Sequence, residues 1–484
     1  MIRTGRRNQI RRAGRVRANS PWPLVAICVG YFMVILDVTV VNVALPAISR
    51  GLHATTTDLA WVVDSYSLVF AALLLSSGSF ADHRGAKRAF QIGIVLFALA
   101  SVACGLASST SALIVARGAQ GVGAALTVPS SLSLLQVAYT DRAVRARAFG
   151  VWGAVAGIGA GAGPVVGGAL VTELGWRSVF FVNVPVALVG LALVTRVLPL
   201  TPRRSHGLDP GGQIAGAACL VGITLALVEA GSSGWTASIV VVGLIVFVTA
   251  GLAFVAIEQR VQRPMLPLSL FASPTFRTAS VVGLFINFGF YGELFVMSLY
   301  LQQIRGFSPL LTGVALLPQM AMAVVGSTVS GWVMTRTGSR PPMVVGLCLG
   351  AVGLLSLSGT SVDSTYWVLV VPLLAIGLGM SLTMPAATAA IMEAAPLERG
   401  GIASGTLNAA RQVGGVVGVA LLGTFVAHRA SFVTGFRVDM DIAAGVFVVG
   451  ALLTIAGIDR SPMRPANLVA SGSRRLVIVA IRRV

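Results

Sequence analysis

Five charged residues lie inside long apolar stretches of the sequence, where a charge is costly. They are Asp37, Asp64, Arg117, Glu293 and Arg411. On insertion scales a charged side chain at the centre of a membrane helix costs about 2.5–3.5 kcal/mol, so it normally faces a cavity or a partner. Such residues can do two kinds of chemistry. A carboxyl can take up and release a proton, and an ion pair can hold two helices together.

Asp37 lies near the middle of the first apolar stretch, in the segment LDVTVVNVALP (36–46). Desolvation favours the neutral form of a carboxyl, whereas a nearby cation favours the charged form. Arg117 is the candidate cation, so we expect Asp37 to exchange protons, with a static ion pair as the alternative. Asn42 lies about 140° around the helix from Asp37. We expect it to hydrogen-bond to a neighbouring helix rather than to bind a ligand.

Two further carboxyl groups are candidate proton sites. Asp64, with Tyr66, lies in the first turns of the second apolar stretch, where it is either a hydrated residue favoured by the helix N-terminus or a second proton site. Glu293 lies near the centre of a later stretch, with Asn287 and Tyr291 within two turns. It is a candidate proton or cationic-substrate site, and the alternative is a neutral carboxyl bonded to another helix.

A polar face is predicted near the end of the chain. Asn408, Arg411 and Gln412 follow the i, i+3, i+4 spacing that places side chains on one helix face. Arg411 either binds an anionic group or pairs with an acid from elsewhere, and plain structural packing is an equal alternative. We expect these three residues to line a substrate cavity with Tyr66, Asn287, Tyr291 and Gln120.

The elements that position these residues are membrane-spanning helices. The chain is 56% hydrophobic and 11% charged with a mean hydropathy of +0.88, whereas a soluble protein carries about 25% charged residues. Apolar runs of about 20 residues recur, which indicates an all-α polytopic membrane protein and not a barrel of short alternating strands. We predict fourteen helices, at 23–47, 59–80, 89–108, 112–136, 146–170, 177–198, 212–230, 235–257, 278–301, 308–333, 341–359, 365–391, 402–427 and 441–458.

The net charge of +19 is explained by topology rather than by nucleic-acid binding. With the amino terminus in the cytoplasm, 28 of the 35 basic residues fall in cytoplasmic segments, as the positive-inside rule requires. There they would meet acidic lipid. We therefore expect basic cytoplasmic tails at 1–22 and 459–484. The first apolar run is too long for a cleaved signal and should remain as a span.

An internal repeat divides the chain into two related parts. GSFADHRGAKR (78–88) aligns with GWVMTRTGSRP (331–341), LTVPSS (126–131) with LTMPAA (382–387), and GPVVGGAL (163–170) with GGVVGVAL (414–421). The nearly constant offset predicts two six-helix halves, 23–198 and 278–458. The segment 199–277 then forms a linker with two inserted helices.

These motifs resemble the major facilitator superfamily, specifically its fourteen-span drug:proton antiporter branch. The resemblance covers residues 22 to 458. It rests on LDVTVVNVALP, the loop motif GSFADHRGAKR, and four further segments that are also typical of the branch. These are RGAQGVGAA (117–125), GAGAGPVVGG (159–168), WRSVFFVNVP (176–185) and GTLNAARQVGG (405–415).

The resemblance implies that the first and fourth helices are neighbours, and that the protein exports small amphipathic drugs or antibiotics in exchange for protons. Two halves would rock around a midplane site in the cytoplasmic membrane. No cofactor is expected beyond the proton gradient, and a monomer should suffice. A proton-coupled uptake symporter is the alternative. ATP-driven transport is excluded, because no G-x-x-x-x-G-K-[ST] segment is present.

The resemblance also implies two gating elements. The loop motif would form a cytoplasmic charge network, with topogenic charge as the alternative. Only its first copy carries an acid, because Thr335 stands where Asp82 would. The predicted fifth helix would bend at Pro164, which lacks a backbone donor, and pack closely through glycines. The gating candidates are Gly78, Asp82, Arg84, Gly85, Lys87, Arg88, Gly163, Pro164, Gly167 and Gly168.

Overall fold

The computed structural model describes residues 20–139, 141–198, 209–261, 264, 266–361, 364–396, 400–426 and 432–458. The surroundings of a few residues inside these ranges lie outside the description, those of Gly78 and Asp82 among them. The described part of the chain is helical and contains no β-strand. The two predicted basic tails fall almost entirely outside the described residues, so their positions stay predictions.

Long helices joined by short connections form the fold. A 3-10 helix, Leu268–Ala272, lies between the ninth and tenth α-helices, and a π-helix, Tyr300–Ile304, continues the tenth. The α-helices are α1 Trp22–Leu52, α2 Thr56–Arg84, α3 Ala86–Gly105, α4 Thr110–Ala138, α5 Arg142–Leu174, α6 Ser178–Phe181, α7 Asn183–Val197, α8 Pro210–Ser233, α9 Ser238–Arg260, α10 Pro274–Leu299, α11 Pro309–Ala315, α12 Leu317–Thr337, α13 Arg340–Ser358, α14 Tyr366–Ala394, α15 Gly400–Phe425 and α16 Phe432–Gly457.

Within the described residues, thirteen helical stretches are long and apolar enough to cross a membrane. They coincide with thirteen of the fourteen predicted helices. The remaining one, predicted at 402–427, forms as α15 but is not among the thirteen. Its first half carries the polar residues Asn408, Arg411 and Gln412. The class of all-helical membrane protein is confirmed, whereas the count of fourteen spans stays a prediction.

The predicted helix 177–198 is interrupted at Val182, between α6 and α7. Pro185 follows three residues later and lacks the N–H that would continue the helical hydrogen bonds. The interruption makes Asn183 the first residue of α7. There its side chain is fully buried and points toward α1.

A second interruption lies at Leu316, between α11 and α12, in the predicted helix 308–333. Pro318 stands in the first turn of α12, where the missing N–H costs nothing. The next residue, Gln319, is 1% exposed and faces α10. Both interruptions therefore direct an amide side chain to a neighbouring helix.

The N-terminal helices α1–α7 meet the C-terminal helices α10–α16 closely at one end of the molecule. A Cβ atom added to Gly168 of α5 would lie 2.7 Å from Leu310 Cα of α11. Toward the other end α5 and α12 have separated, since Cβ atoms added to Gly153, Gly157 or Gly331 would meet nothing within 4 Å. The seam between the two groups of helices is thus packed at one end and open at the other.

Other contacts of the seam lie at the same end as Gly168. Gln302 Nε2 of the π-helix donates to Val43 O of α1 at 3.0 Å. A Cβ atom at Gly423 of α15 would lie 3.7 Å from Ala60 Cβ of α2. The π-helix and helices α1, α2 and α15 therefore hold this end of the seam closed, in addition to α5 and α11.

Helix α8, the first of the two inserted helices, packs against both groups. Trp61 Nε1 of α2 donates to Glu229 Oε1 at 2.9 Å, and Thr424 Oγ1 of α15 donates to Leu227 O at 2.8 Å. Helix α9 packs mainly on α8 and leaves most of its apolar surface exposed, since only 11% of its most apolar stretch is buried. The insert lies at the periphery, away from the buried charges of the N-terminal helices.

Candidate functional site

The Asp37 carboxylate is the centre of a buried polar network that joins four helices. Arg117 Nη1 donates to its Oδ2 at 2.5 Å, and both side chains are almost wholly buried. Its Oδ1 accepts from Asn183 Nδ2 at 2.8 Å and from Gln120 Nε2 at 3.2 Å. Ser101 Oγ of α3 accepts from both amides, at 3.3 and 2.7 Å. An ionised carboxylate accepts charge-assisted bonds of this kind most strongly.

The guanidinium of Arg117 is held on its other sides as well. Its Nε donates to Val62 O of α2 at 3.1 Å, and its Cζ lies 4.5 Å from the ring centroid of Tyr66. The ring of Phe180 lies 6.0 Å away on α6. Arginine over an aromatic face is a favourable arrangement in a desolvated site. The predicted pairing of Asp37 with Arg117 is therefore present in the structure.

Two predicted cavity residues belong to this network instead of an open cavity. Gln120 is 0% exposed and also accepts from Arg117 Nη1 at 2.8 Å. Tyr66 is 0% exposed and lies beneath the guanidinium. Gln120 lies three residues after Arg117 on α4, and Tyr66 lies on the neighbouring helix α2. In this state both are sealed from solvent.

Asp64 is buried as deeply as Asp37, at 0% exposure. Neither of its carboxylate oxygens has a hydrogen-bond partner among the described residues. The structure therefore contradicts a hydrated residue near the mouth, because α2 begins at Thr56 and places Asp64 more than two turns inside it. An unpaired buried polar group is costly, so Asp64 is a candidate to gain a partner in another state of the protein.

Glu293 forms a second polar centre, within the C-terminal helices. Its Oε2 accepts from Gln319 Nε2 of α12 at 2.7 Å, while its Oε1 has no described partner. Glu293 is 0% exposed. Asn287 is also buried and its Oδ1 lacks a partner. Tyr291 packs on α15, where a Cβ atom at Gly415 would lie 3.1 Å from Tyr291 Cδ2.

Arg411 is bonded to the neighbouring helix α14, as the packing alternative expects. Its Nη2 donates to Met384 O at 3.0 Å and to Thr388 Oγ1 at 2.8 Å, both on α14. It pairs with no acid among the described residues, and its Nε has no partner. Asn408 and Gln412 are half-buried on the same helix. The guanidinium therefore has donor capacity left for an anionic or carbonyl group.

The prediction for Asn42 is wrong in its partner. Its Nδ2 donates to Val38 O of its own helix at 2.9 Å, and its Oδ1 has no described partner. A short amide side chain reaches the carbonyl four residues back more readily than a neighbouring helix. Among the described residues Asn42 therefore bonds to no other helix.

The loop motif is described only in part. Lys87 Nζ donates to Thr195 O at 3.1 Å and to Leu198 O, at the end of α7. Arg84 Cζ lies 5.6 Å from the Phe80 ring centroid, Arg88 is exposed, and Gly85 has a φ of 87° that favours glycine. Because the side chain of Asp82 lies outside the description, the charge network stays a prediction.

The glycines of α5 pack in two directions. A Cβ atom at Gly163 would lie 2.8 Å from Thr39 Cβ of α1, and one at Gly167 would lie 2.8 Å from Val40 O. Gly168 instead faces α11. Pro164 also lies at the seam, because a Cβ atom at Gly313 of α11 would meet its carbonyl. This segment therefore ties α1 to the seam.

Several buried polar residues escaped the sequence analysis, among them Asn183, Gln319 and Ser101. Gln319 follows Pro318 and Asn183 lies two residues before Pro185, and a proline close by inside an apolar stretch is the signal that could have found these two amides. Asp439 is 0% exposed with both carboxylate oxygens unpartnered among the described residues. It was missed because the last helix was expected at 441–458, whereas α16 begins at Phe432.

Comparisons with known proteins agree with this architecture. The family model of the Major Facilitator Superfamily matches residues 27–419. A methylenomycin A resistance protein of Streptomyces coelicolor is 35% identical over 472 residues, covering 97% of this chain and 99% of that protein. The tetracenomycin C resistance and export protein of Streptomyces glaucescens is 38% identical over 414 residues, covering 84% and 76%.

Among solved structures, a bacterial homologue of the human lysosomal transporter Spinster has a similar fold. Its TM-score is 0.64 at 19% identity, and the match covers 91% of this chain and 97% of that one. The fold, the helix-borne buried charges and the match of the family model lead to one assignment. The chain belongs to the Major Facilitator Superfamily and is a membrane transporter, not an enzyme.

Proposed function

We propose that the protein exports small amphipathic drugs or antibiotics from the cytoplasm in exchange for protons. The observation that carries the proposal is the Asp37 carboxylate, which is buried, charge-paired with Arg117 at 2.5 Å and bonded to two amides. The resistance and export proteins among its relatives support drug export. The proton gradient would supply the energy, with no cofactor.

Asp37 would act as a proton-operated tie between helices. While ionised it accepts bonds from α4 and α7, so it holds them to α1. Protonation removes the charge that Arg117 neutralises, and the pair loses most of its attraction in a medium of low dielectric constant. Asp37 is 0% exposed here, so water has to reach it in another state of the cycle.

Glu293 would be a second proton or cationic-substrate site. One of its oxygens accepts from Gln319 across α10 and α12, and the other is unpartnered. A neutral carboxyl could donate from that oxygen, and an ionised one could hold a cation. Asp64, also unpartnered, would be a further proton site among the N-terminal helices.

The closed end of the seam gives the state of the transporter, once its orientation is assigned. We place the amino terminus in the cytoplasm, on the positive-inside rule. The ends of α1 and α10 that meet through Gln302 and Val43 then lie at the outer face. The open end beside Gly153 and Gly157 faces the cytoplasm. This is an inward-facing arrangement, ready to take substrate from the cytoplasm, as export requires.

Drug susceptibility tests the proposal most simply. The wild-type chain, Asp37→Asn and Glu293→Gln are expressed in a pump-deleted bacterial host and compared over a panel of amphipathic antibiotics. We expect the wild-type chain to raise the inhibitory concentration of at least one drug, and Asp37→Asn to abolish the protection at equal membrane expression. An uptake symporter would instead sensitise the host, and full protection by Asp37→Asn would overturn the role of Asp37.

A further inference from the structure

A cavity lies at the closed end of the seam, separate from the buried carboxyl groups. Its volume is about 520 Å³, within the range of about 300–1,000 Å³ that holds drug-sized ligands. One wall comes from the last turns of α1, with Ser49 and Arg50. The opposite wall comes from the π-helix and the loop before α11, with Gln302, Gln303 and Phe307.

The π-helix contributes two consecutive glutamines, Gln302 and Gln303, to the wall of the cavity. Such segments are rare and frequently mark functional sites. Gln302 donates to Val43 O and so joins the two walls. Gln303 makes no hydrogen bond with the described residues, and its amide is free to meet a ligand.

The cavity carries one sign of charge. Arg50 is the charged residue among its described lining residues. Its exposed guanidinium forms no ion pair or hydrogen bond with the described part of the chain. A basic residue in the last turn of a helix favours the helix dipole, which accounts for the charge at α1. It does not account for the facing glutamine or for the partly buried ring of Phe307.

We propose that this cavity is an outer binding site for small amphipathic anions, such as a carboxylate attached to an apolar body. Arg50 would bind the carboxylate, the Gln303 amide would donate to it, and Phe307 with Pro46 would cover the apolar part. Arginine suits this task because its planar fork matches a carboxylate. The location on the outer face rests on the proposed orientation, whereas the preference for anions does not.

The test uses full-length protein whose four cysteines are replaced by serine, with Ile304→Cys as a reporter. Ile304 is chosen because it lines the cavity, carries no polar group and has no part in holding the anion. Two methanethiosulfonates of similar size are compared, one bearing an anionic sulfonate and one a cationic trimethylammonium. Both are applied to intact cells and to inverted vesicles, and retained drug export shows that the protein is folded.

We expect the anionic reagent to be favoured, and Arg50→Gln to lower the anionic-to-cationic rate ratio by roughly three- to tenfold, as the Coulomb energy of close unit charges in water predicts. Arg177→Gln is the matched control, because Arg177 is exposed but donates to Ala107 O outside the cavity. Phenylacetate should slow the modification, phenylethylammonium should not, and Arg50→Gln should remove the protection.

Three results would overturn the site. They are a rate ratio unaffected by Arg50→Gln, equal protection by the two aromatic ions, and a thiol that reacts from neither side. The side of reaction tests a different claim. If the thiol reacts in inverted vesicles and not in intact cells, the proposed orientation is wrong, and the preference for anions is then judged from the vesicle rates.

Discussion

Asn183 is the residue whose role follows most directly from geometry. Its amide donates to Asp37 Oδ1 at 2.8 Å, and a hydrogen bond to a charged group contributes about 1.5–3 kcal/mol. Removing it in Asn183→Ala takes one bond from the Asp37 carboxylate and weakens the link between α1 and α7. We expect proton-coupled drug transport to slow by roughly tenfold at equal protein content, as a loss of about 1.5 kcal/mol implies.

The measurement is the rate of drug transport in inverted vesicles with an imposed pH gradient. Asn42→Ala is the matched control, since that amide bonds only within α1 among the described residues. Its transport rate should stay at the wild-type value. A wild-type rate in Asn183→Ala would mean that Asn183 does not position the carboxylate.

At this scale the sequence indicated the charges better than their partners. Asp37 and Arg117 could be paired in advance, because a charge in an apolar helix needs a partner and the family resemblance implies that the first and fourth helices are neighbours. Asn183 and Gln319 could not, because a neutral amide carries little cost on insertion and gives no comparable signal. The true partners of Asn42 and Arg411 depend on a hydrogen bond within α1 and on the packing of α15 against α14, neither of which spacing alone specifies.

Among the elements, α5 carries the clearest prediction for the gate. A Cβ atom at Gly168 would lie 2.7 Å from Leu310 Cα across the closed end of the seam, whereas one at Gly157 of the same helix meets nothing within 4 Å. Gly168→Ala should therefore weaken the closed end by about 1–3 kcal/mol, the usual cost of overpacking. Gly157→Ala should have little effect.

Accessibility of a thiol at the closed end reports this change. A cysteine replacing Ile304 at the same end of the seam, placed in the cysteine-free protein, should react faster with an impermeant maleimide from outside when Gly168→Ala is added. A shift of about 1.4 kcal/mol corresponds to a tenfold change in the population of the open state. Equal rates in the Gly168→Ala and Gly157→Ala proteins would show that the contact between α5 and α11 does not hold the gate.

The boundaries of the spans were largely predictable from hydropathy, since apolar runs of membrane length have few alternative structures. The interruptions at Val182 and Leu316 were not. A proline in a membrane helix is often tolerated, because neighbouring helices satisfy the freed carbonyls. Whether such a helix bends or breaks is decided by packing, and here the breaks place the amides that meet the two carboxyl groups.

In the whole molecule, the two polar centres lie in different groups of helices, and the seam between those groups is closed at one end. Asp37 is bonded entirely within α1–α7, and Glu293 within α10–α16. Proton uptake at either site can therefore change the packing inside one group without breaking a bond across the seam. We therefore expect the two groups of helices to move as units, with the seam contacts made and broken between them.

The central claim is that drug movement is coupled to proton movement through Asp37. Its direct test uses inverted membrane vesicles with an acidic interior and a drug to which the wild-type chain gives resistance. The drug is added while the interior pH is followed with a fluorescent dye. We expect vesicles with the wild-type chain to take up the drug and release protons together, and vesicles with Asp37→Asn to do neither at equal protein content. Drug-induced proton release by Asp37→Asn at the wild-type rate would contradict the central claim.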